Sequence, residues 1–122
     1  GAFDKAMIEL VKGIRGFEKS PIIKLWDSGE DQILAFMRKD FIFIFNFSPT
    51  RSYEGYGILA PKGSYRCILD SDQPQFGGYA RINQHIEHFT QPDPLYKKDK
   101  KEWLLLYLPA RTAMVMQRQK KK

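Results

Sequence analysis

The hydrophobic pattern is strongest in residues 41–47, which read Phe-Ile-Phe-Ile-Phe-Asn-Phe. All of these residues except Asn46 are β-branched or aromatic, and the run is far shorter than the ~20 apolar residues that a membrane-spanning helix needs. It therefore predicts a β-strand. Because strand side chains alternate between two faces, both faces of this strand are apolar as far as Asn46. We expect the strand to lie inside a sheet that is covered on both sides.

Further short apolar runs, each bounded by turn residues, predict more strands along the chain. They are residues 22–26, 33–37, 58–60, 64–69, 103–108 and 112–116. Like residues 41–47, the runs 33–37 and 103–108 are apolar on both faces, so we expect cover on both sides of these strands too. Residues 48–57 contain a proline and two glycines, which favours a loop, or an edge strand at best. Residues 80–102 are polar, with two prolines and four lysines, which favours a long loop with a brief strand near Ile86. Seven or so short strands with frequent turns indicate an antiparallel β-sandwich or barrel.

Residues 3–15 follow a helical spacing instead, with a continuous apolar stripe. The stripe consists of Phe3, Ala6, Met7, Leu10, Val11 and Ile14. The opposite face is not rich in lysine, which favours a packing helix over one that lies on a membrane surface. Since large open apolar patches are rare on monomers, we expect this helix to lie on the sheet, or two copies of the chain to pair.

Composition and charge limit the classes of function. A chain of 122 residues that is 43% hydrophobic is long enough and apolar enough for one globular domain with a real core. The net charge of +6 suggests a nucleic-acid partner, but Arg118 and the last three lysines supply four of those charges in a terminal tail. A solvated tail is the simpler interpretation. The single cysteine, Cys67, excludes a disulfide framework, and alternation in residues 64–69 places it on one core-facing side with Tyr65 and Leu69.

Two aspartates, Asp70 and Asp72, are the only carboxylates whose spacing suggests a catalytic pair. The favoured alternative is that they accept backbone N–H bonds in the turn that follows, as aspartate often does. In that turn, Gly77 or Gly78 is expected to have a positive φ, which glycine adopts without steric cost. We therefore expect these four residues to be structural.

A second group, His85, Glu87 and His88, lacks the further ligands that a metal shell needs. The chain also lacks the Gly-x-Ser-x-Gly nucleophile-elbow motif of serine hydrolases and any phosphate-binding glycine loop. The sequence thus predicts no catalytic residues, no metal site and no cofactor.

Several motifs, in this order and spacing, resemble the C-terminal β-domain of 1,4-α-glucan (glycogen or starch) branching enzymes, members of the α-amylase superfamily. The matching segments are Phe-Ile-Phe-Asn-Phe-Ser-Pro-Thr (43–50), Ser-Tyr-Glu-Gly-Tyr (52–56), Leu-Asp-Ser-Asp (69–72), Phe-Gly-Gly-Tyr-Ala-Arg (76–81), His-Phe-Thr (88–90) and Pro-Ala-Arg-Thr-Ala (109–113). Residues 3–7, Phe-Asp-Lys-Ala-Met, resemble the last helix of the family's catalytic barrel. The lysine-rich tail departs from the family pattern.

The resemblance implies a Greek-key-like β-sandwich in residues 20–122, preceded by a helix in residues 1–19 that is a remnant of the catalytic barrel. It implies that the parent enzyme forms α-1,6 branches by glycosyl transfer and that its catalytic carboxylates lie in that barrel, outside these residues. The implied role is a non-catalytic domain that supports the barrel, so its partners are the barrel of the same parent chain and, as a candidate ligand, α-1,4-glucan.

Two other functions are weighed against this one. A free-standing glucan-binding module would use tyrosines in polar loops, and Tyr53, Tyr56 and Tyr79 are the candidates. A nucleic-acid-binding domain would use the basic residues 97–101 and 118–122, and its binding would depend strongly on salt. We expect neither a nucleic-acid nor a membrane partner. With no signal peptide and no spanning segment in the sequence, we expect a cytoplasmic protein.

Overall fold

A computed structural model describes residues 1–93 and 100–121 of the chain. These residues form one α-helix, nine β-strands and two short 3-10 helices. The helix, α1, spans Ala2–Lys12, and the 3-10 helices span Phe17–Lys19 and Pro74–Phe76. The strands are β1 (Ile22–Ser28), β2 (Ile33–Arg38), β3 (Phe41–Asn46), β4 (Tyr53–Leu59), β5 (Ser64–Asp70), β6 (Glu87–Phe89), β7 (Gln91–Pro92), β8 (Glu102–Leu108) and β9 (Thr112–Arg118).

The strands pair antiparallel into two sheets. One has six strands in the order β1-β2-β3-β9-β5-β6, and the other has three in the order β4-β8-β7. The main core lies between the sheets, where Ile42 and Ile44 of β3 face Ile58 of β4 and Leu104 and Leu106 of β8. The predicted all-β sandwich with one N-terminal helix is therefore confirmed.

Strand β3 is covered on both faces, as its sequence predicts. It pairs with β2 on one side and β9 on the other. Ile42 and Ile44 are at most 1% exposed in the core between the sheets. Phe41 and Phe43 are also buried, but on the outer face of the six-stranded sheet, where they form a second core with Val115.

Helix α1 provides the cover on that outer face. Its residues Met7, Leu10 and Val11 pack against the second core, and Ile14 and Phe17 after it do the same. The helix ends at Lys12, one turn earlier than predicted, because Gly13 begins a tighter turn in which its N–H bonds to the carbonyl of Leu10. Within the described ranges, no helix is long and apolar enough to cross a bilayer.

A row of stacked rings runs along the outer face of β2 and β3 and continues to Phe47, just after β3. We call it the phenylalanine ladder; it consists of Phe36, Phe43, Phe45 and Phe47. Neighbouring ring centroids are 5.0–5.9 Å apart and nearly parallel. Exposure rises along the ladder, since Phe43 is 2% exposed and Phe47 is 58% exposed. The helix therefore covers one end of the ladder and leaves the other open.

In residues 53–57 the structure has the alternative to a loop, because β4 is an edge strand of the three-stranded sheet. The strand begins at Tyr53 and incorporates both glycines. Gly55 has φ 57° within an irregularity of the β4–β8 pairing. Gly57 leaves room for the ring of Trp103, which lies 3.3 Å from where a Cβ would stand. These glycines shape a strand rather than interrupt it.

The side chains of strand β5 do not alternate as expected along its whole length. Tyr65 and Cys67 face the main core, as predicted, but Leu69 packs with the second core on the opposite face. A bulge between Cys67 and Leu69 inserts Ile68 into the strand and reverses the direction of the side chains after it.

Other differences lie towards the C-terminus. In residues 80–102 the brief strand predicted near Ile86 is present as β6, whereas β7 was not predicted. Residues 94–99 of this segment lie outside the described part, as does Lys122 of the tail. Arg118 belongs to β9, not to a free tail, and its N–H donates to the carbonyl of Asp40. Strand β8 is not covered on both faces, because Leu105 and Tyr107 on its outer side are 45% and 37% exposed.

Candidate functional site

The first of the paired aspartates, Asp70, ends β5 and is only 1% exposed. Its Oδ1 accepts the N–H of Asp72 at 3.0 Å, and its Oδ2 accepts the side-chain amide of Gln84 at 2.7 Å. Its own N–H donates to the side-chain oxygen of Gln73. Asp70 therefore fixes the start of the loop that follows β5.

The second aspartate, Asp72, is equally buried and binds the far side of the same loop. Its carboxylate accepts the N–H groups of Tyr79 and Arg81, and the Nε and Nη2 atoms of Arg81 as well. Burial alone would raise the pKa of Asp72, but the hydrogen bonds from Arg81 and Tyr79 outweigh it and hold the pKa below its usual value. The carboxylate is thus ionised and fully engaged by protein donors.

The two glycines allow the loop to close on Asp72. Gly77 has φ 84°, in the left-handed region that glycine adopts without strain. At Gly78 a Cβ would stand 2.2 Å from the backbone carbonyl of Asp72, a distance that no side chain can occupy. The loop after β5 is therefore an ordered turn in which both aspartates accept backbone N–H bonds, which is the structural role that the sequence favours for them.

This geometry is unsuited to acid–base catalysis. A carboxyl group that acts as a general acid or base must reach the substrate, whereas the carboxylates of Asp70 and Asp72 are enclosed and bonded to internal donors. The nearby thiol of Cys67 is no better as a nucleophile, because burial raises its pKa to about 12.

The histidines do not assemble a metal site. His85 is exposed in a loop, and His88 is half-buried in β6, where burial lowers its pKa. Glu87 is paired with Arg66 at 3.4 Å. Across residues 1–93 and 100–121, no group of three His, Cys, Asp or Glu residues is placed to hold an ion.

The candidate tyrosines fall into two separate places. Tyr53 and Tyr56 lie together at the start of β4, with ring centroids 5.1 Å apart. Their hydroxyl groups donate to Asp31, Tyr53 to the carbonyl at 2.9 Å and Tyr56 to Oδ2 at 2.7 Å. The hydroxyl of Tyr56 also accepts the indole N–H of Trp26. Burial and the bond to Asp31 raise the pKa of Tyr56.

Tyr79 is different, because its side chain is 79% exposed although its backbone is held by the buried Asp72. The guanidinium of Arg81 lies 5.1 Å from its ring centroid. Tyr107 of β8 lines a common cavity with Arg81. We call Tyr79, Arg81 and Tyr107 the Tyr79 surface.

Sequence reasoning identified Tyr79 but missed Arg81 and Tyr107 as its neighbours. A weak signal for Tyr107 exists in the sequence, since it stands between two core leucines, Leu106 and Leu108, and must therefore point outward. Nothing local in the sequence places β8 beside the loop of residues 79–83.

Comparison with known proteins gives one family and a consistent set of relatives. The model of the family described as alpha amylase, C-terminal all-beta domain, matches residues 26–119. A 1,4-alpha-glucan-branching enzyme of Dictyostelium discoideum is 40% identical over 90 residues, which cover 73% of this chain and 13% of the relative. The enzyme of the same name from Eremothecium gossypii is 39% identical over 119 residues, covering 96% of this chain and 17% of the relative.

An Arabidopsis thaliana relative, named 1,4-alpha-glucan-branching enzyme 2-2, chloroplastic/amyloplastic, is 40% identical over 116 residues. The match covers 93% of this chain and 14% of that enzyme. The chain thus spans between 13% and 17% of the length of these three relatives. Since the family model covers most of the sequence and its all-β description agrees with the two sheets, this chain belongs to the family of alpha amylase C-terminal all-beta domains.

Proposed function

We propose that this chain is the non-catalytic C-terminal domain of a 1,4-α-glucan branching enzyme, whose parent protein forms α-1,6 branches by glycosyl transfer. The observation that carries the proposal is the match of nearly the whole chain to a small part of enzymes that bear this name. The enclosed carboxylates Asp70 and Asp72 and the unreactive thiol of Cys67 support a role without catalysis.

The partner that we propose is the catalytic barrel of the same parent chain, with residues 1–19 as a remnant of that barrel. The phenylalanine ladder supports this assignment, because Phe47 is exposed beside a helix that already covers the other end of the row. An exposed ring that continues a buried aromatic row is expected where another element covers the surface. In this arrangement the outer face of the six-stranded sheet holds the domain against the barrel, with α1 between them.

The test begins with the reading frame upstream of Gly1. We expect it to encode a (β/α)8 barrel with the superfamily's carboxylates, and we expect the longer protein to lower the iodine absorbance of amylose as branches form. Residues 1–122 alone should have no such activity. An upstream frame without a barrel, or activity of the isolated chain that Asp70→Asn abolishes, would contradict the proposal.

Docking is tested in the longer protein with Phe47→Asp, which places a charge on the open end of the ladder. We expect a lower thermal midpoint and reduced branching, because a charge in an apolar interface remains without a partner. Phe89→Asp is the matched control, since Phe89 is 68% exposed on β6, an edge strand of the same sheet that lies three strands from β3. Equal effects of the two substitutions would exclude the ladder as the docking face.

A second role, contact with α-1,4-glucan, is supported by exposed aromatic rings. Of the three candidates Tyr53, Tyr56 and Tyr79, the last is favoured, because the hydroxyl groups of the first two are already bonded to Asp31. Glucan contact through exposed aromatic rings would also suit a free-standing glucan-binding module. The two forms of the proposal differ in whether a barrel is encoded upstream.

We also propose a cytoplasmic location. One buried cysteine fits a reducing compartment, but relatives named chloroplastic/amyloplastic show that such enzymes also occur in plastids. Imaging of the tagged longer protein decides between the two locations.

A further inference from the structure

We infer that the Tyr79 surface, formed by Tyr79, Arg81 and Tyr107, binds a short stretch of α-1,4-glucan away from any catalytic centre. The choice of this sugar rests on the proposed function, whereas the location rests on the geometry of the three residues. Sugar rings present flat C–H faces that pack on aromatic rings, and a rim of hydroxyl groups that needs hydrogen-bond partners. The Tyr79 surface offers both kinds of contact.

The exposed ring stands on a fixed backbone. The N–H groups of Tyr79 and Arg81 donate to the carboxylate of Asp72, and between them Ala80 donates to the Asp72 carbonyl at 2.7 Å. Ala80 has φ 56°, a left-handed conformation that a residue with a Cβ adopts only when its surroundings hold it there. A ring held in place by such a backbone loses little conformational entropy when a ligand binds.

Arg81 supplies hydrogen-bond donors beside the ring. Its Nε and Nη2 atoms are occupied by Asp72, at 3.1 and 2.9 Å. Among the described residues, Nη1 has no hydrogen-bond partner, so both of its hydrogens remain available. The guanidinium is oriented by Asp72 and by the Tyr79 ring, and this orientation aims the free donors without further ordering.

The charge of the Tyr79 surface favours a neutral ligand. The ion pair between Arg81 and the buried Asp72 leaves no uncompensated positive charge there. A polyanion would instead prefer the groove between β5, β6 and the residues after β9, which Lys62, Arg118, Lys120 and Lys121 line beside the Arg66–Glu87 pair. The chemistry of the Tyr79 surface is therefore that of a polyhydroxyl ligand and not of a phosphate chain.

Tyr107 enlarges the Tyr79 surface with a second aromatic ring. It points outward from β8 and lines a cavity together with Arg81 and Asn83. Leu105, two residues earlier on the same outward side, is 45% exposed and extends the apolar area along the strand. Rings at more than one position suit a linear chain of sugars better than a single monosaccharide.

The test is a titration of the ¹⁵N-labelled chain of 122 residues with maltoheptaose, followed by amide chemical shifts. We expect the shifts to centre on residues 77–83 and 105–107. Tyr79→Ala should weaken the dissociation constant roughly tenfold, and Tyr79→Phe should leave it within about twofold, because stacking needs the ring and not the hydroxyl. Because the ring is exposed, neither substitution should change the thermal midpoint, which serves as the control for folding.

Three comparisons make the experiment decisive. Phe89→Ala removes an exposed ring on β6 and should leave binding unchanged. Cellohexaose, with its β-1,4 linkages, should bind more weakly, and a short single-stranded DNA should shift residues of the basic groove if it binds at all. No maltoheptaose binding, shifts confined elsewhere, or binding that survives Tyr79→Ala would overturn the assignment. Such results would leave the upstream barrel and the branching assay unaffected, so the two proposals fail separately.

Discussion

Arg81 and Asp72 form a two-point contact, in which Nε of Arg81 lies 3.1 Å from Oδ2 of Asp72 and Nη2 lies 2.9 Å from Oδ1. The side chain of Asp72 is 1% exposed and that of Arg81 33%, so the ion pair lies at the boundary between the core and solvent. Two backbone N–H groups share the same carboxylate. One side chain therefore organises the loop that presents Tyr79.

This contact predicts that Asp72→Asn is strongly destabilising. The amide retains a single acceptor oxygen, and it replaces the other with a donor that faces the N–H of either Tyr79 or Arg81 and one guanidinium nitrogen of Arg81. We expect a loss of roughly 2–4 kcal/mol in the free energy of unfolding, less than for a fully enclosed pair because Arg81 is partly hydrated. Urea denaturation measures the change.

The matched control for this substitution is Asp27→Asn. Asp27 pairs with Lys24 at 3.3 Å, but both side chains are more than half exposed. We expect a change of at most about 0.5 kcal/mol for that substitution. Similar losses of unfolding free energy in the two asparagine variants would show that the buried two-point contact stabilises the fold no more than an exposed ion pair does.

The same carboxylate predicts acid sensitivity. The pKa of Asp72 is lower in the folded chain than in the unfolded chain, so its contribution is fully present above the unfolded value of about 3.9. It is lost as the pH falls from there through the folded pKa. The difference in unfolding free energy between the native sequence and Asp72→Asn should therefore shrink below about pH 4. A difference that stays constant down to the folded pKa would contradict this assignment.

A graded series of glycine substitutions follows from the geometry of the loop. Gly78→Ala should cost about 3 kcal/mol or more, because its Cβ would overlap the Asp72 backbone, which cannot move without breaking several hydrogen bonds. Gly77→Ala should cost about 1 kcal/mol, since φ 84° is strained for alanine but the space is open. Gly29→Ala, with open space and no left-handed backbone, should be nearly neutral. Any other order of thermal midpoints would contradict the geometry.

The elements that the sequence predicted correctly are those whose residue pattern is strong and local. The apolar pattern of β3 on both faces predicted its central place, and the helical stripe predicted a helix that packs on the sheet. The aspartates and glycines after β5 predicted an ordered turn, because their preferences act over a few residues. Such signals need no knowledge of distant contacts.

The features that were missed depend on contacts between distant parts of the chain. Gly57 resembles a loop residue until the ring of Trp103 occupies the space beside it, 46 positions later in the sequence. The bulge at Ile68 depends on how β5 pairs with β9. Arg81 and Tyr107 come together only because the loop after β5 passes close to β8, and no local pattern encodes that approach.

The phenylalanine ladder yields the last prediction, a contrast between its two ends. Phe43 is 2% exposed, with the ring of Phe17 against it at 5.9 Å, whereas Phe47 is 58% exposed. Phe43→Ala should lower the unfolding free energy by roughly 3–5 kcal/mol, because it removes a buried ring and leaves a cavity. Phe47→Ala should cost no more than about 1 kcal/mol in the isolated chain, because it loses little beyond its stacking with Phe45. Urea denaturation of both variants measures the contrast, and equal losses would contradict the burial of Phe43 and the exposure of Phe47.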